Sequence, residues 1–172
     1  MVPGKDDQRR RAYEDLFRAN YRAVQGFVQA QYPNVDTAQV MSNTFEIALR
    51  RFEDIPQDAE RGWLIGVARN CCRNELRAER RRRRRLAEVA SLQRIDGPST
   101  SPISGLDLDA VLTAFRQLRP SDQEVMLLAE WHGLLGRDLA AALGVSPSAA
   151  AVRLHRARQR LRSLLDEDGG ER

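Results

Sequence analysis

Apolar residues recur at three- and four-residue steps through Tyr13, Leu16, Phe17, Tyr21, Val24, Phe27 and Val28. That is the period of an amphipathic helix, and it predicts one from about residue 11 to residue 31. Pro33 and Asn34 break the pattern. Asp36 then has the side chain of an N-cap, and Val40, Met41, Phe45, Ala48 and Leu49 form the apolar stripe of a second helix, to about residue 52. Pro56 marks a loop. Beyond it Trp63, Leu64, Val67, Ala68, Cys71 and Leu76 predict a third, longer helix over about 59–83.

Periodicity dissolves after residue 87 into SLQRIDGPSTSPISG, whose serines, prolines and glycines read as a linker. It returns with Leu108, Val111, Leu112, Phe115 and Leu118, followed by Pro120. Ser121 and Glu124 have capping-box spacing for a helix carrying Val125, Leu127, Leu128 and Trp131. The next stretch, GRDLAAALGVSPSAAAVRLHRARQRL over 136–161, has the grammar of a helix-turn-helix. Gly144 permits the left-handed backbone that ends one helix, Ser146 can cap the next, and Pro147 suits its first turn, where a missing N–H is harmless.

No segment reads as a strand. The pattern predicts an all-α chain of two small helical domains, residues 8–85 and 107–168, joined by a flexible linker over 86–106. The C-terminal domain is expected to be a helix-turn-helix unit of the winged-helix-like, four-helix kind, with a frayed tail from Asp166.

Charge adds a direction to this plan. The net charge is only +4, but all of the 28 basic residues except Lys5 are arginine, and they cluster. Ten arginines stand between Arg61 and Arg85 against Glu75 and Glu79, and five between Leu139 and Arg162 against no acid. Two basic patches on separate domains suit two contacts with one long polyanion. Arg80 to Arg85 are six in a row, too many for one helix face, and read as nonspecific phosphate attraction or a solvated helix end.

Other chemistry is sparse. Cys71 and Cys72 are adjacent with no further cysteine, so a disulfide framework or zinc site is not expected, and buried helical thiols are favoured over a redox sensor. His155 has only His132 as a possible histidine partner, and no metal or cofactor is expected. There is no clustered Asp/Glu/His constellation, glycine-rich phosphate loop or activated nucleophile, which argues against an enzyme. The N-terminus lacks the apolar core of a signal peptide and no apolar run would span a bilayer, so a cytoplasmic protein without membrane insertion is expected.

On the last helix Ala150, Leu154, Ala157 and Leu161 share one stripe, and Ser148, Ala149, Val152, His155 and Arg156 face the other way. On the third helix Arg69, Asn70, Arg73, Asn74 and Arg77 recur opposite the apolar stripe. Arginines there would hold phosphates, and the asparagines would either bond bases or be solvated. Trp63, on the apolar stripe, reads as core; Phe52, at the loop before Pro56, is the better base contact.

The motifs YEDLFRANYRAV, GWLIGVARNCCRNELRAERRRRR and LRPSDQEVMLLAEWHGLLGRDLAAALGVSPSAAAVRLHRARQRLRSLL stand in order over nearly the whole chain. In this order the chain resembles the extracytoplasmic-function class of sigma-70-family RNA polymerase sigma factors. The resemblance implies a non-enzymatic protein that binds core RNA polymerase and promoter DNA, with the N-terminal domain as region 2 and the C-terminal domain as region 4. It implies reading of the minus-thirty-five element by Ser148, Ala149, Val152, Arg153, His155, Arg156 and Arg160. Melting and reading of the minus-ten element would fall to Phe52, Arg69, Asn70, Arg73, Asn74 and Arg77. An anti-sigma factor is a further partner of the kind such a protein would have.

Two departures from the family pattern stand out. The second helix, expected to dock on polymerase through several carboxylates, reads DTAQVMSNTF, leaving Asp36, Gln39, Val40, Ser42 and Asn43 as the contact set. Fewer carboxylates weaken a charge-assisted interface. Phosphorylation by a Ser/Thr kinase at Ser42, Thr37 or Thr44 would restore negative charge there; constitutive binding through hydrogen bonds and apolar contacts is the alternative. In the reading helix Ala149, Ala151 and Val152 replace hydrogen-bonding types, so recognition leans on Ser148, Arg153, His155 and Arg156, thymine-methyl contacts and DNA shape. The rival for the whole chain is a stand-alone helix-turn-helix transcriptional regulator.

Overall fold

The computed structural model describes residues 5–87 and 106–169. They form seven α-helices, and no strand occurs among the described residues. The N-terminal half holds α1 (Lys5–Gln31), α2 (Thr37–Arg50) and α3 (Glu60–Ala87). Asp36 caps α2 as its side chain implies, Oδ1 accepting from Gln39 N at 3.1 Å. The chain leaves α2 at Arg51 and turns through a single 3₁₀ turn, Phe52–Asp54, clamped by an Arg51–Asp54 pair at 2.9 Å.

The core of this half forms where α3 lies across α1 and α2, burying Leu64, Ile65, Ala68 and Cys72 against Val24, Val28, Val40 and Phe45. The buried stripe of α3 is thus turned by about one residue from the expected one. Trp63, Val67 and Cys71 sit half-buried at its margin. Trp63, expected as core, also lines a crevice between the two halves. The reason is tertiary, because α3 has a second neighbour on its Gly62 and Gly66 side, described below.

The C-terminal half holds α4 (Leu106–Gln117), α5 (Pro120–Met126), α6 (Gly136–Leu143) and α7 (Pro147–Gly169). The corner between α4 and α5 is held by Gln123, whose amide points its N–H groups at the carbonyls of Phe115 and Leu118, both 3.0 Å away. The expected capping box at Ser121 and Glu124 does not form. Pro120 takes the first helical position and extended Arg119 precedes it, so Ser121 falls inside the helix and Glu124 reaches away from it.

Past α5 the helix widens into a π turn, Leu127–Trp131, with His132 N donating to Leu127 O at 3.1 Å. Gly144 ends α6 in the left-handed conformation, φ +67°, and Ser146 Oγ caps α7 by accepting from Ala149 N at 3.2 Å. The helix-turn-helix is built as its sequence specifies. No helix among the described residues is long and apolar enough to cross a membrane.

The apolar core is continuous across both halves, running from Leu64 and Ile65 to Leu134, Leu139, Ala140 and Ala142. Helix α6 lies along α3, the most extensive helix pair among the described residues. The two halves are docked.

Since Gly144 is left-handed with open space at its Cβ position, Gly144→Ala meets no clash but forces an L-residue into that conformation. It is expected to destabilise the C-terminal half by about 1–2 kcal/mol, read as a lower urea midpoint with an unchanged slope.

Candidate nucleic-acid interface

Helix α7 is anchored by buried Ala150, Leu154 and Ala157. Its opposite side leaves Ser148, Val152, Arg153, His155 and Arg156 exposed, with Ala149 partly covered. Arg160, expected with them, is committed elsewhere. Its Nη1 donates to Asp122 Oδ2 at 2.6 Å, and Asp122 is nearly buried at the start of α5. A charge in that position needs its partner, so Arg160 staples α7 to α5. Arg158 does the same toward Glu130, at 2.5 Å.

On α2, Asp36, Gln39 and Ser42 are exposed and Asn43 is half-exposed, with Gln39 Nε2 donating to Asn43 Oδ1 at 3.0 Å. Two expectations fail here. Val40 is buried in the core and presents no side chain to a partner. Thr44 is fully buried, its hydroxyl donating to Val40 O at 2.7 Å, and offers no accessible oxygen to a kinase. Both lie at helical spacing from Met41, Phe45 and Ala48, so the stripe that buries those residues buries them too. Thr37 is half-exposed.

The α3 set is brought onto one side of the helix, but not all of it faces solvent. Asn70, Asn74 and Arg77 are exposed; Arg73 is partly covered, and the Arg69 side chain is only 12% exposed. Glu124 Oε1 lies 2.9 Å from Arg69 Nε and 2.6 Å from Arg73 Nη2. Arg69 Nη1 also donates to Ala142 O, in the last turn of α6. Burial pulls the Arg69 guanidinium below its ordinary pKa, and the Glu124 carboxylate opposes that shift. Phe52 lies beside Tyr13, ring centroids 6.1 Å apart, and lines an open groove of about 570 Å³. Trp63 receives the Arg51 guanidinium over its ring at 5.8 Å. Arg80 to Arg84 are exposed, Arg82 and Arg83 pairing with Glu79, while the Arg85 side chain and residues 88–105 of the expected linker lie outside the described residues.

Further contacts join the halves near the start of α3. Gly62 N donates to Asp138 Oδ1 at 2.8 Å, Arg61 Nη2 donates to His132 O at 2.8 Å, and Arg137 pairs with Asp58. Cys72 is fully buried and its thiol is pushed up to about 12 by desolvation, while burial also raises the Cys71 thiol. Neither is a ready thiolate at neutral pH. No grouping of His, Cys, Asp and Glu among the described residues could hold a metal ion.

Residues 108–161, the segment carrying most of α4, α5, α6 and most of α7, match the family model for sigma-70 region 4. Over 91% of this chain and 90% of the relative, the sequence is 31% identical to RNA polymerase sigma factor CarQ of Myxococcus xanthus. The chain belongs to the extracytoplasmic-function class of sigma-70-family RNA polymerase sigma factors. CnrH of Cupriavidus metallidurans is 30% identical over 79% of the chain and 76% of the relative. The solved structure of CnrH with the cytosolic domain of CnrY is similar at a TM-score of 0.55 and 27% identity, covering 92% of this chain and 90% of that one. Sigma factor RpoE of Bartonella quintana, solved with the anti-sigma factor NepR, shares the fold at a TM-score of 0.55 and 22% identity, over 90% and 97% of the two chains.

In this sigma factor several residues that matter to the interface escape a motif reading: Glu124, Asp138, His132 and the pair Gly62 and Gly66. Only the glycines carry a sequence signal, as small residues four apart on a helix. The partners of the others are far away in the chain.

His132 makes the junction pH-sensitive. Its ring meets Phe27 edge-on with centroids 5.1 Å apart, and its Nε2 lies 3.4 Å from Gln31 Nε2. Burial first, and Arg61 second, hold its pKa below the ordinary 6.5. The docked form therefore favours the neutral ring, and the undocked form binds the proton more readily. Protonation of the ring therefore opposes docking, an effect absent well above pH 6.5 and growing as pH falls from there through the lowered value. Tryptophan emission should shift between about pH 7.5 and about pH 5.5, and His132→Gln should flatten that response.

Proposed function

We propose that this sigma factor carries core RNA polymerase to promoters through two nucleic-acid faces on two domains. Residues 107–168 act as region 4, with α7 in the major groove of the minus-thirty-five element; residues 8–85 act as region 2; and 86–106 link them. The observation that carries this reading is the exposed face of α7, Ser148 to Arg156, held out by a Gly144–Ser146–Pro147 turn within the segment that matches region 4. Arg153 and Arg156 supply phosphate or guanine contacts, Ser148 and His155 hydrogen bonds, and Ala149 and Val152 contact with thymine methyls.

The Arg69–Arg77 side of α3 takes the melted minus-ten strand, arginines on phosphates and Asn70 and Asn74 on bases. The groove beside Phe52 suits an unstacked base, since Asp15, Glu53 and Glu60 on its walls can accept from exocyclic amines. Polymerase docks on the exposed part of α2, Asp36, Gln39, Ser42 and Asn43. With a single carboxylate in that set the contact is weakly charged, and a phosphate on Ser42, the exposed acceptor there, strengthens it. The complexes of CnrH with CnrY and of RpoE with NepR support an anti-sigma partner for this chain as well. The sigma factor acts in the cytoplasm, with polymerase, and no reaction or cofactor is assigned to it.

Transcription in vitro from a library of promoter fragments tests the reading. Core polymerase with this chain should yield promoter-specific transcripts, and Arg156→Ala should lower the yield about tenfold, in line with the 1–3 kcal/mol of a lost base contact. Tight, specific duplex binding without polymerase, and no transcripts with it, would instead identify a stand-alone regulator. Separately, Ser42→Glu is expected to tighten core binding; equal, tight binding by the unmodified chain removes the kinase from the account.

A further inference from the structure

We infer that the docked arrangement is a self-masked form of the chain, in which Glu124 occupies Arg69 and Arg73 in place of a single strand's phosphates while the duplex-reading face of α7 stays open. This rests on the assignment of α3 to the melted strand.

The masking is chemical as well as steric. Glu124 puts one carboxylate oxygen within 2.9 Å of both guanidinium groups, accepting a hydrogen bond from Arg73 Nη2 and pairing by charge alone with Arg69, whose Nε has no hydrogen-bond partner and is left for a better-aligned anion oxygen. Strand and Glu124 are therefore alternative anions for the same two cations. Asn70, one of the two base-bonding candidates, lies on the wall of a crevice whose other side is Ala141 to Gly144 of the C-terminal half. Ser148, Val152, His155 and Arg156 stay exposed in this arrangement, and Arg153, also exposed, is near enough for its charge to act on Arg69.

Helix ends add polar contacts to the apolar packing that joins the halves. Helices α3 and α6 run in the same direction, with Gly62 beside Asp138 and Arg69 beside Ala142. The N–H of Gly62 belongs to the first turn of α3, where no carbonyl of its own helix can reach it, and Asp138 accepts it from the other half. The carbonyl of Ala142 belongs to the last turn of α6, and Arg69 donates to it from the first half. Each helix caps the other. When the halves part, water can satisfy both ends.

The approach that permits this capping depends on glycine. A Cβ built on Gly62 would lie 2.1 Å from the backbone oxygen of Asp138, and one on Gly66 would lie 3.1 Å from the backbone oxygen of Ala141. Gly62→Ala therefore forces α6 off α3, while alanine suits the interior of α3 better than glycine does. Gly62 contributes no side chain to any nucleic-acid contact.

The test compares the full chain, Gly62→Ala and Glu124→Gln, with helicity by circular dichroism to verify folding. Small-angle scattering of the unaltered chain is expected to give a radius of gyration near the roughly 16 Å of a compact protein of this length, and Gly62→Ala to exceed it. A fluorescent single-stranded oligonucleotide of about twenty mixed nucleotides should bind Gly62→Ala about tenfold more tightly than the unaltered chain, as when only about a tenth of the molecules are open. Glu124→Gln should give a smaller gain in the same direction. Adding Arg69→Ala and Arg73→Ala to the Gly62→Ala chain should abolish the gain, and the same sequence as a duplex should show little change. An extended unaltered chain, or equal single-strand affinity for it and an expanded Gly62→Ala chain, overturns the masking. Promoter-specific transcripts from the unaltered chain alongside that result would leave the sigma-factor reading standing. A single-strand gain without transcripts from either chain would leave the masking standing and remove that reading.

Discussion

The close approach of α6 to α3 is the constraint on which the rest of the structure depends. At Gly62 the two backbones are near enough that one added carbon would overlap a carbonyl oxygen, and that proximity sets what each half can expose. It turns the buried stripe of α3 by one residue, leaves Trp63 at a margin rather than in the core, and carries Arg69 to the end of α6. It also extends the core of Leu64, Ile65, Ala68 and Cys72 into Leu134, Leu139, Ala140 and Ala142, and it covers part of the basic side of α3.

The C-terminal half obeys a different logic. Its reading helix is positioned by contacts within that half: the left-handed Gly144, the Ser146 cap, and the staples Arg160–Asp122 and Arg158–Glu130. All of these contacts lie within the C-terminal half and use no residue of α3. Arginines of similar appearance in the sequence thus divide between two tasks. Arg153 and Arg156 are left for solvent or DNA, and Arg158 and Arg160 hold the helix in place.

What the sequence made legible is what local chemistry decides. The Asp36 cap, the break at Pro33 and Asn34, and the Gly144–Ser146–Pro147 turn each depend on residues within a few positions of one another, and local sequence is enough to specify each. The buried side of α7 followed from helical period alone. Thr44 and Val40 were legible too, since Thr44 stands three residues after Met41 and four before Ala48, Val40 stands four before Thr44, and a polar atom or a functional expectation does not exempt a residue from its stripe. Glu124 was misread because its spacing from Ser121 is right, while Pro120 and the extended Arg119 start the helix earlier. Its partners, Arg69 and Arg73, lie on another domain, and no local pattern announces a pairing across that distance. Arg160 and Asp122 escaped notice for the same reason.

The sharing of one Glu124 oxygen by two arginines also has a thermodynamic consequence. A bond that must break before another ligand can bind ties the two equilibria together, and such coupling is symmetric. Whatever draws the C-terminal half away from α3 raises the affinity of the exposed arginines for an anion by some factor. The anion, once bound, raises the affinity of that first agent by the same factor. Polymerase and promoter strand would in this way be cooperative ligands of the chain, and the size of their cooperativity would be set by the free energy of docking the halves, to which the carboxylate's hold on its two cations contributes one part.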